Sequence, residues 1–169
     1  CLLVLADISA ERLAELALRA SEHRYRTVIE TMAEGVLLFD IDDRVVGANA
    51  AALRMIGAEG ASHAEIDDQL GRLRVYEIDG RQLGSDERLT RRVLSTGEPI
   101  VAATFRVERP DGVRAWHEIS ARQIRLSEDD TPGVLFTMSD VTTRVEAEQA
   151  LKGLTDHLER RVMERTGEL

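Results

Sequence analysis

The residues in this chain with chemistry to offer are few and scattered. Ser, His and Asp all occur, but no Gly-x-Ser-x-Gly nucleophile elbow, Gly-rich phosphate loop or His-Glu-x-x-His pair is present. The sequence therefore carries no recognisable means of nucleophilic, phosphoryl-transfer or zinc-hydrolytic catalysis. The carboxylate clusters Asp-Ile-Asp-Asp at 40–43 and Ser-Glu-Asp-Asp at 127–130 fall where turns are expected. Asp and Ser are favoured in turns for their local backbone bonds, so solvated turns account for these clusters better than metal sites, and no metal is expected. Cys1 is the single cysteine, which excludes an internal disulfide and any cysteine-rich metal centre. Of the histidines, His117 stands out because it alternates with Ala115, Ile119 and Ala121, which puts it on the apolar face of a strand. A buried structural imidazole, a ligand contact and a pH-sensitive group are all compatible with that placement.

Composition narrows the partners. The 169 residues can hold one ordinary domain with extensions, and 43% hydrophobic residues suffice for its core. The formal charge of −9, without a basic stripe, argues against nucleic acid and against an anionic membrane surface. The longest apolar runs, Cys-Leu-Leu-Val-Leu-Ala and Gly-Val-Leu-Leu-Phe, are too short to span a bilayer, and no basic, apolar, small-residue signal peptide precedes them, so no membrane segment is expected here. A start at Cys1, on an apolar run, reads as a piece of something longer.

The elements that must position these residues follow from periodicity and punctuation. Residues 1–5 are short and aliphatic and predict a buried strand, after which Ser9 opens about 20 residues without Gly or Pro, rich in Glu, Arg, Leu and Ala. Leu13 and Leu16 fall on one face of that predicted helix. From Gly35, two aliphatic runs separated by the acidic turn predict a hairpin, and an Ala-rich helix follows, ending near Gly57. Residues 58–83 are broken and polar, 85–96 predict a helix stopped by Gly97, and the segment from Pro99 predicts three strands, the first two joined at Pro110-Asp111-Gly112. Thr142 opens a last helix in which Leu151, Leu154, Leu158 and Val162 recur at three- and four-residue spacing, the pattern of a coiled-coil seam. The expected fold is α+β: a five-stranded antiparallel sheet covered on one face by short helices and flanked by long N- and C-terminal helices.

This order resembles a PAS domain, a sensory module of signalling proteins. The resemblance rests on Tyr25–Gly57, with Asn49 after the second strand, and on Ser-Thr-Gly-Glu-Pro-Ile at 95–100, Arg-Pro-Asp-Gly-Val-Arg-Ala-Trp-His-Glu-Ile-Ser at 109–120, and the run from Gly133 to Leu151. In such domains an Asp-aliphatic-Thr triplet marks the passage of the last strand into a signalling helix. Asp140-Val141-Thr142 fits it, and Asp7-Ile8-Ser9 looks like the same junction of a preceding domain. The hydroxyl of Thr142 or Ser9 would then cap the first turn of its helix. The implied organisation is the last strand of a truncated PAS domain over 1–8, a linker helix over 9–24, a PAS domain over 25–141 and a coiled-coil-like linker over 142–169.

The resemblance also implies a pocket between sheet and helices that could take a small molecule. His117, Met32, Met55, Phe105, Phe136 and Met138 are its candidate lining, with plain core as the alternative for all six. The cofactor is left unknown: a photoreactive flavin domain of the LOV kind would need a cysteine within 58–83, which is absent, and haem is disfavoured because only His63 and His117 lie in the domain body. The expected role is a sensory or dimerisation module, a homodimer through its flanking helices. An output domain such as a histidine kinase or diguanylate cyclase would lie elsewhere in the parent chain, and the location of such linkers and output domains makes the cytoplasm the expected setting. A ligand-independent scaffold and a small enzyme are the alternatives.

Overall fold

A computed structural model describes residues 2–126 and 131–167; of residues 2–10, 162 and 164–167 it describes only the backbone. Helix α1 (Leu2–Thr31) leads into a strand pair, β1 (Gly35–Phe39) and β2 (Val45–Ala48), then the short helices α2 (Ala50–Ile56) and α3 (His63–Arg72) and a short strand β3 (Arg74–Tyr76). A 3-10 turn (Ser85–Glu87) precedes α4 (Leu89–Thr96), and three long strands, β4 (Ile100–Glu108), β5 (Arg114–Arg125) and β6 (Pro132–Asp140), run into helix α5 (Thr142–Gly167).

The strands form one antiparallel sheet of order β2-β1-β6-β5-β4-β3. This is the expected α+β architecture with one addition: β3, from the segment read as broken, joins the edge by pairing Arg74–Tyr76 with Arg106–Glu108. Three residues of mixed polarity leave too short a periodicity to be seen in sequence. The same segment also hides α3, whose start is fixed by a capping box in which Glu65 accepts from the Ser62 backbone N–H at 2.7 Å.

The strand expected over residues 1–5 is not formed. Helix α1 begins at Leu2, Cys1 lies outside the described residues, and Asp7 and Ser9 lie inside the helix instead of at a strand-to-helix junction. The physical reason is backbone satisfaction: five extended residues with no neighbouring strand leave their N–H and C=O groups unpaired, whereas a helix satisfies them internally. The repeated triplet is thus a repeat of sequence and not of structure in this chain. Likewise, the helix expected over 85–96 is divided at Arg88, whose extended backbone (ψ 132°) separates the 3-10 turn from α4.

One face of the sheet carries the core. Leu37, Phe39, Ile119, Val134 and Met138 pack there against Ala52, Ile56 and Ile66 from α2 and α3 and Leu89 and Val93 from α4. Approach is closest at Gly35, where a Cβ would lie 2.7 Å from Met138 Cγ and 3.0 Å from Ala52 Cα, so only glycine lets α2 sit on β1. Helix α2 ends at Gly57 in the left-handed region, φ 74°, as its position after an Ala-rich run predicts.

Asn49 fastens these elements together. Its side chain is buried; Oδ1 accepts from the backbone N–H of Val36 and of Ala52, both at 2.9 Å, and Nδ2 donates to the carbonyls of Ile29 and Glu34, also at 2.9 Å. One amide therefore caps α2, pins β1 and ties down the end of α1. Asn49→Ala removes four bonds and strands buried backbone partners, so chemical denaturation should show a loss of about 3 kcal/mol or more. A change below about 1 kcal/mol would refute that role.

Candidate functional site

Between the sheet and the layer formed by α3, the 3-10 turn and α4 lies a cavity of about 520 Å³, within the size range of small-molecule sites. Its sheet side is built by alternation: Leu37 and Phe39 from β1, His117 and Ile119 from β5, Phe136 and Met138 from β6 all point to the same face. Phe39 and Phe136 meet edge to face with centroids 6.0 Å apart. Leu70, Leu73, Val75, Leu83 and Leu89 close the opposite side, and Arg72, Arg74, Arg88 and Arg91 line it too.

His117 is the one polar side chain that β1, β5 and β6 contribute to this cavity. It is 2% exposed, and its Nδ1 is buried without a hydrogen-bond partner. Burial pushes its pKa below the usual value, against a smaller upward pull from the Asp140 carboxylate, which lies opposite it in the β5–β6 register. The imidazole is therefore neutral, one donor and one acceptor, on the wall of an apolar cavity. A buried nitrogen without a partner costs on the order of 1–3 kcal/mol, which a hydrogen-bonding group placed beside it would recover.

The six candidate lining residues divide. His117, Phe136 and Met138 line the cavity. Phe105 is buried but belongs to a second hollow of about 470 Å³, lined also by Arg81, Glu87 and Arg92. Met55 packs half-buried against the core, and Met32, 36% exposed just past the end of α1, lies at the surface. Met55 thus has the plain-core placement that was the alternative for it, and Met32 lies away from the cavity because apolar identity alone does not say which face of an element turns inward.

Sequence reasoning missed the residues on the helix side of the cavity. Asp43, expected in a solvated turn, is buried, in the left-handed region (φ 64°) that Asp tolerates. Its Oδ1 accepts from the Thr90 hydroxyl, and its Oδ2 lies 3.2 Å from Arg88 Nε and 3.3 Å from Arg91 Nε. The β1–β2 turn is thereby locked to α4 across the cavity. The signal for it in sequence was slight: Asp43 and the Arg88-Leu-Thr-Arg91 run are 45 residues or more apart. The other acidic cluster, 127–130, lies outside the described residues, and among the described residues no group of His, Cys, Asp and Glu could hold a metal ion.

The passage from β6 into α5 is held by one hydrogen bond from β5 and one to Asp140, and the Thr142 hydroxyl does not play the expected part. The Thr142 hydroxyl does not cap its own helix; it accepts from the backbone N–H of Trp116 in β5 at 2.9 Å. Asp140 takes the capping role, its Oδ1 accepting from the Thr142 N–H at 2.9 Å. Val141 N–H donates to the Trp116 carbonyl at 2.8 Å, Arg144 pairs with Glu118 at 3.0 Å, and Val145 is buried. Although burial, the largest influence, raises the Asp140 pKa, the hydrogen bonds from Thr142 and the nearby His117 bring it below the usual carboxylate value. The first turn of α5 is thus stitched to the strand residue next to His117.

Residues 23–92 match the family model described as PAS domain. The fold is also that of the PAS domain of nitrogen regulation protein NR(II) from Vibrio parahaemolyticus: TM-score 0.50 at 18% identity, over 68% of this chain and 95% of that one. The chain contains a PAS domain. A domain of the sensory box sensor histidine kinase/response regulator from Geobacter sulfurreducens superposes with TM-score 0.51 at 22% identity, over 73% of this chain and 96% of that one. The sensor histidine kinase TmoS of Ectopseudomonas mendocina is 27% identical over 148 residues, which is 86% of this chain and 14% of that protein. The chain therefore spans about one seventh of the curated relative it matches.

Beyond the PAS domain body, the two long helices project their apolar residues into solvent. Leu13 and Leu16 on α1 are 67% and 57% exposed, and Leu151, Leu154 and Leu158 on α5 are 66%, 57% and 52% exposed; the Val162 side chain lies outside the description. No described helix is long and apolar enough to cross a membrane. Trp116 is half-buried on the sheet face away from the cavity, where the Arg106 guanidinium sits 4.6 Å from the Tyr76 ring centroid and 5.9 Å from that of Trp116.

The His117 environment makes stability depend on pH in a fixed direction. The folded state resists a proton that the unfolded chain accepts near pH 6.5, so this contribution is complete above that pH and is lost as pH falls below it toward the lower folded value. The midpoint of thermal unfolding should drop from about pH 7.5 to about pH 5.5 more steeply in the unaltered protein than in His117→Gln. Parallel curves for the two would refute the assignment.

Proposed function

We propose that this PAS domain is a non-catalytic sensory module of a larger signal-transduction protein, in which an input to the cavity is passed through Asp140-Val141-Thr142 into α5. The observation that carries this reading is the Trp116 N–H to Thr142 hydroxyl bond: Trp116 is adjacent to His117 on β5, so the cavity wall and the first turn of α5 share one piece of backbone. A shift of β5 that accommodates a ligand would strain or release that bond, which is the differential contact a two-state signal needs. The likeness to a sensor histidine kinase supports an output domain of that kind, with a diguanylate cyclase as the other fit, and a cytoplasmic setting.

The exposed leucines on α1 and α5 favour a homodimer formed through these helices, since isolated apolar stripes on helices of 30 and 26 residues are normally covered by a partner helix. The same stripes support the second reading, a ligand-independent scaffold that only holds two chains in register.

Two experiments test these readings. Thr142→Val keeps size but removes the acceptor for Trp116, so the first turn of α5 should exchange its amide hydrogens about tenfold faster while global stability falls by only about 1 kcal/mol. Unchanged exchange there would rule out the junction as the coupling point. Leu158→Asp places a charge in the expected seam, and sedimentation should show the dimer dissociating at concentrations where the unaltered chain is paired. An equally stable dimer would place the interface elsewhere.

A further inference from the structure

Four arginines, Arg72, Arg74, Arg88 and Arg91, line the cavity against one carboxylate, Glu87, in a chain whose net charge is −9. Three of these five have their charge occupied outside the lining. Arg72 pairs with Asp68 at 2.8 Å, Arg74 shares Glu108 with Arg114, and Glu87 is held by Arg81 at 2.8 Å. Arg88 and Arg91 differ. Both approach the single Oδ2 of Asp43 through Nε, so two guanidinium charges face one carboxylate, and the Nη groups of neither donate to an acceptor among the described residues. Asp43 is itself held by the Thr90 hydroxyl, which fixes the base of the pair in a buried turn.

On the wall built by β1, β5 and β6 the cavity is apolar except for His117, buried and with Nδ1 unpartnered, so the site is built and has an unmet polar group at its wall. Apolar floor, surplus positive charge at the helix side and a volume of about 520 Å³ specify an amphipathic occupant. We infer that the cavity binds a small organic anion, a carboxylate with a compact apolar body. The body lies against Phe39, Phe136 and Met138 and the carboxylate on the Nη groups of Arg88 and Arg91. A carboxylate suits two guanidinium groups because each offers paired N–H donors in a planar fork, and such charge-assisted bonds are strong where water is partly excluded. Because Asp43 links these arginines to the β1–β2 turn, a ligand that draws on Arg88 and Arg91 also loads the lock between that turn and α4.

This inference rests on the reading of the cavity as the sensory pocket, and the test separates the two. Calorimetric titrations would use matched acid and alcohol probes, naphthoate with naphthalenemethanol and octanoate with octanol, on the full 169-residue chain. In at least one pair the acid should bind about tenfold tighter than its alcohol, the order of one charge-assisted contact. The acid's Kd should rise severalfold between about 0.01 M and about 1 M salt, while the alcohol's should not. In Arg91→Met the acid should lose most of its advantage. That residue is the half-exposed member of the pair and leaves Asp43 with Arg88 and Thr90, so the fold is retained, and the salt series needs no variant. Alcohols that bind as well as or better than their acids would overturn the anion assignment and leave the pocket standing. No binding by any of the four probes would overturn both.

Discussion

The structure depends first on one buried amide. Asn49 uses both acceptor positions of its oxygen and both hydrogens of its nitrogen, and the four partners belong to the end of α1, the entry to β1, β1 itself and the first turn of α2. No apolar residue could replace it, because the carbonyls of Ile29 and Glu34 and the amides of Val36 and Ala52 would then lack partners where water does not reach. The long helix is thereby coupled to the domain at a point. From Glu11 to Val28 the side chains of α1 are solvent-exposed apart from the half-buried Ser21.

Two further sets of polar contacts join other elements. Asp43 secures the β1–β2 turn to α4, and the Asp140-Thr142-Trp116 bonds secure α5 to β5. The cavity lies between these two fastenings, bounded by His117 on the sheet and by Arg88 and Arg91 at the helix side. Apolar packing alone would not fix the geometry, since an apolar wall tolerates repacking at little cost. The directional bonds fix the β1–β2 turn against α4 and connect the β5 wall of the cavity to α5.

Much of the architecture was legible in the residues. The hairpin turn at Asp40–Asp43, the Pro110-Asp111-Gly112 turn and the glycines at 57 and 97 are local chemistry, each set by the conformations that Asp, Pro and Gly adopt. The alternation around His117 correctly put it on the inner face. Where reading failed, a distant partner decided the outcome. Residues 2–5 have strand composition but no strand beside them, and a helix results; Arg74–Tyr76 have no strand signal but lie beside β4, and a strand results. Thr142 looks like a cap, yet its hydroxyl is taken by Trp116 N–H, brought to it by the β5–β6 pairing.

The sequence by itself determined the two hairpins, the helix that ends at Gly57, the three long strands and the last helix, because each of these follows from conformational preference and periodicity within a few residues. It also determined the lack of a recognisable catalytic motif. Only the tertiary structure decided that Phe105 and Met32 lie away from the cavity while Phe136 and Met138 line it, and that Asp43 meets Arg88 and Arg91. The physical reason is that hydrogen bonds, ion pairs and cavities are properties of distance in space, and contacts between residues 45 or more positions apart leave no trace in local pattern.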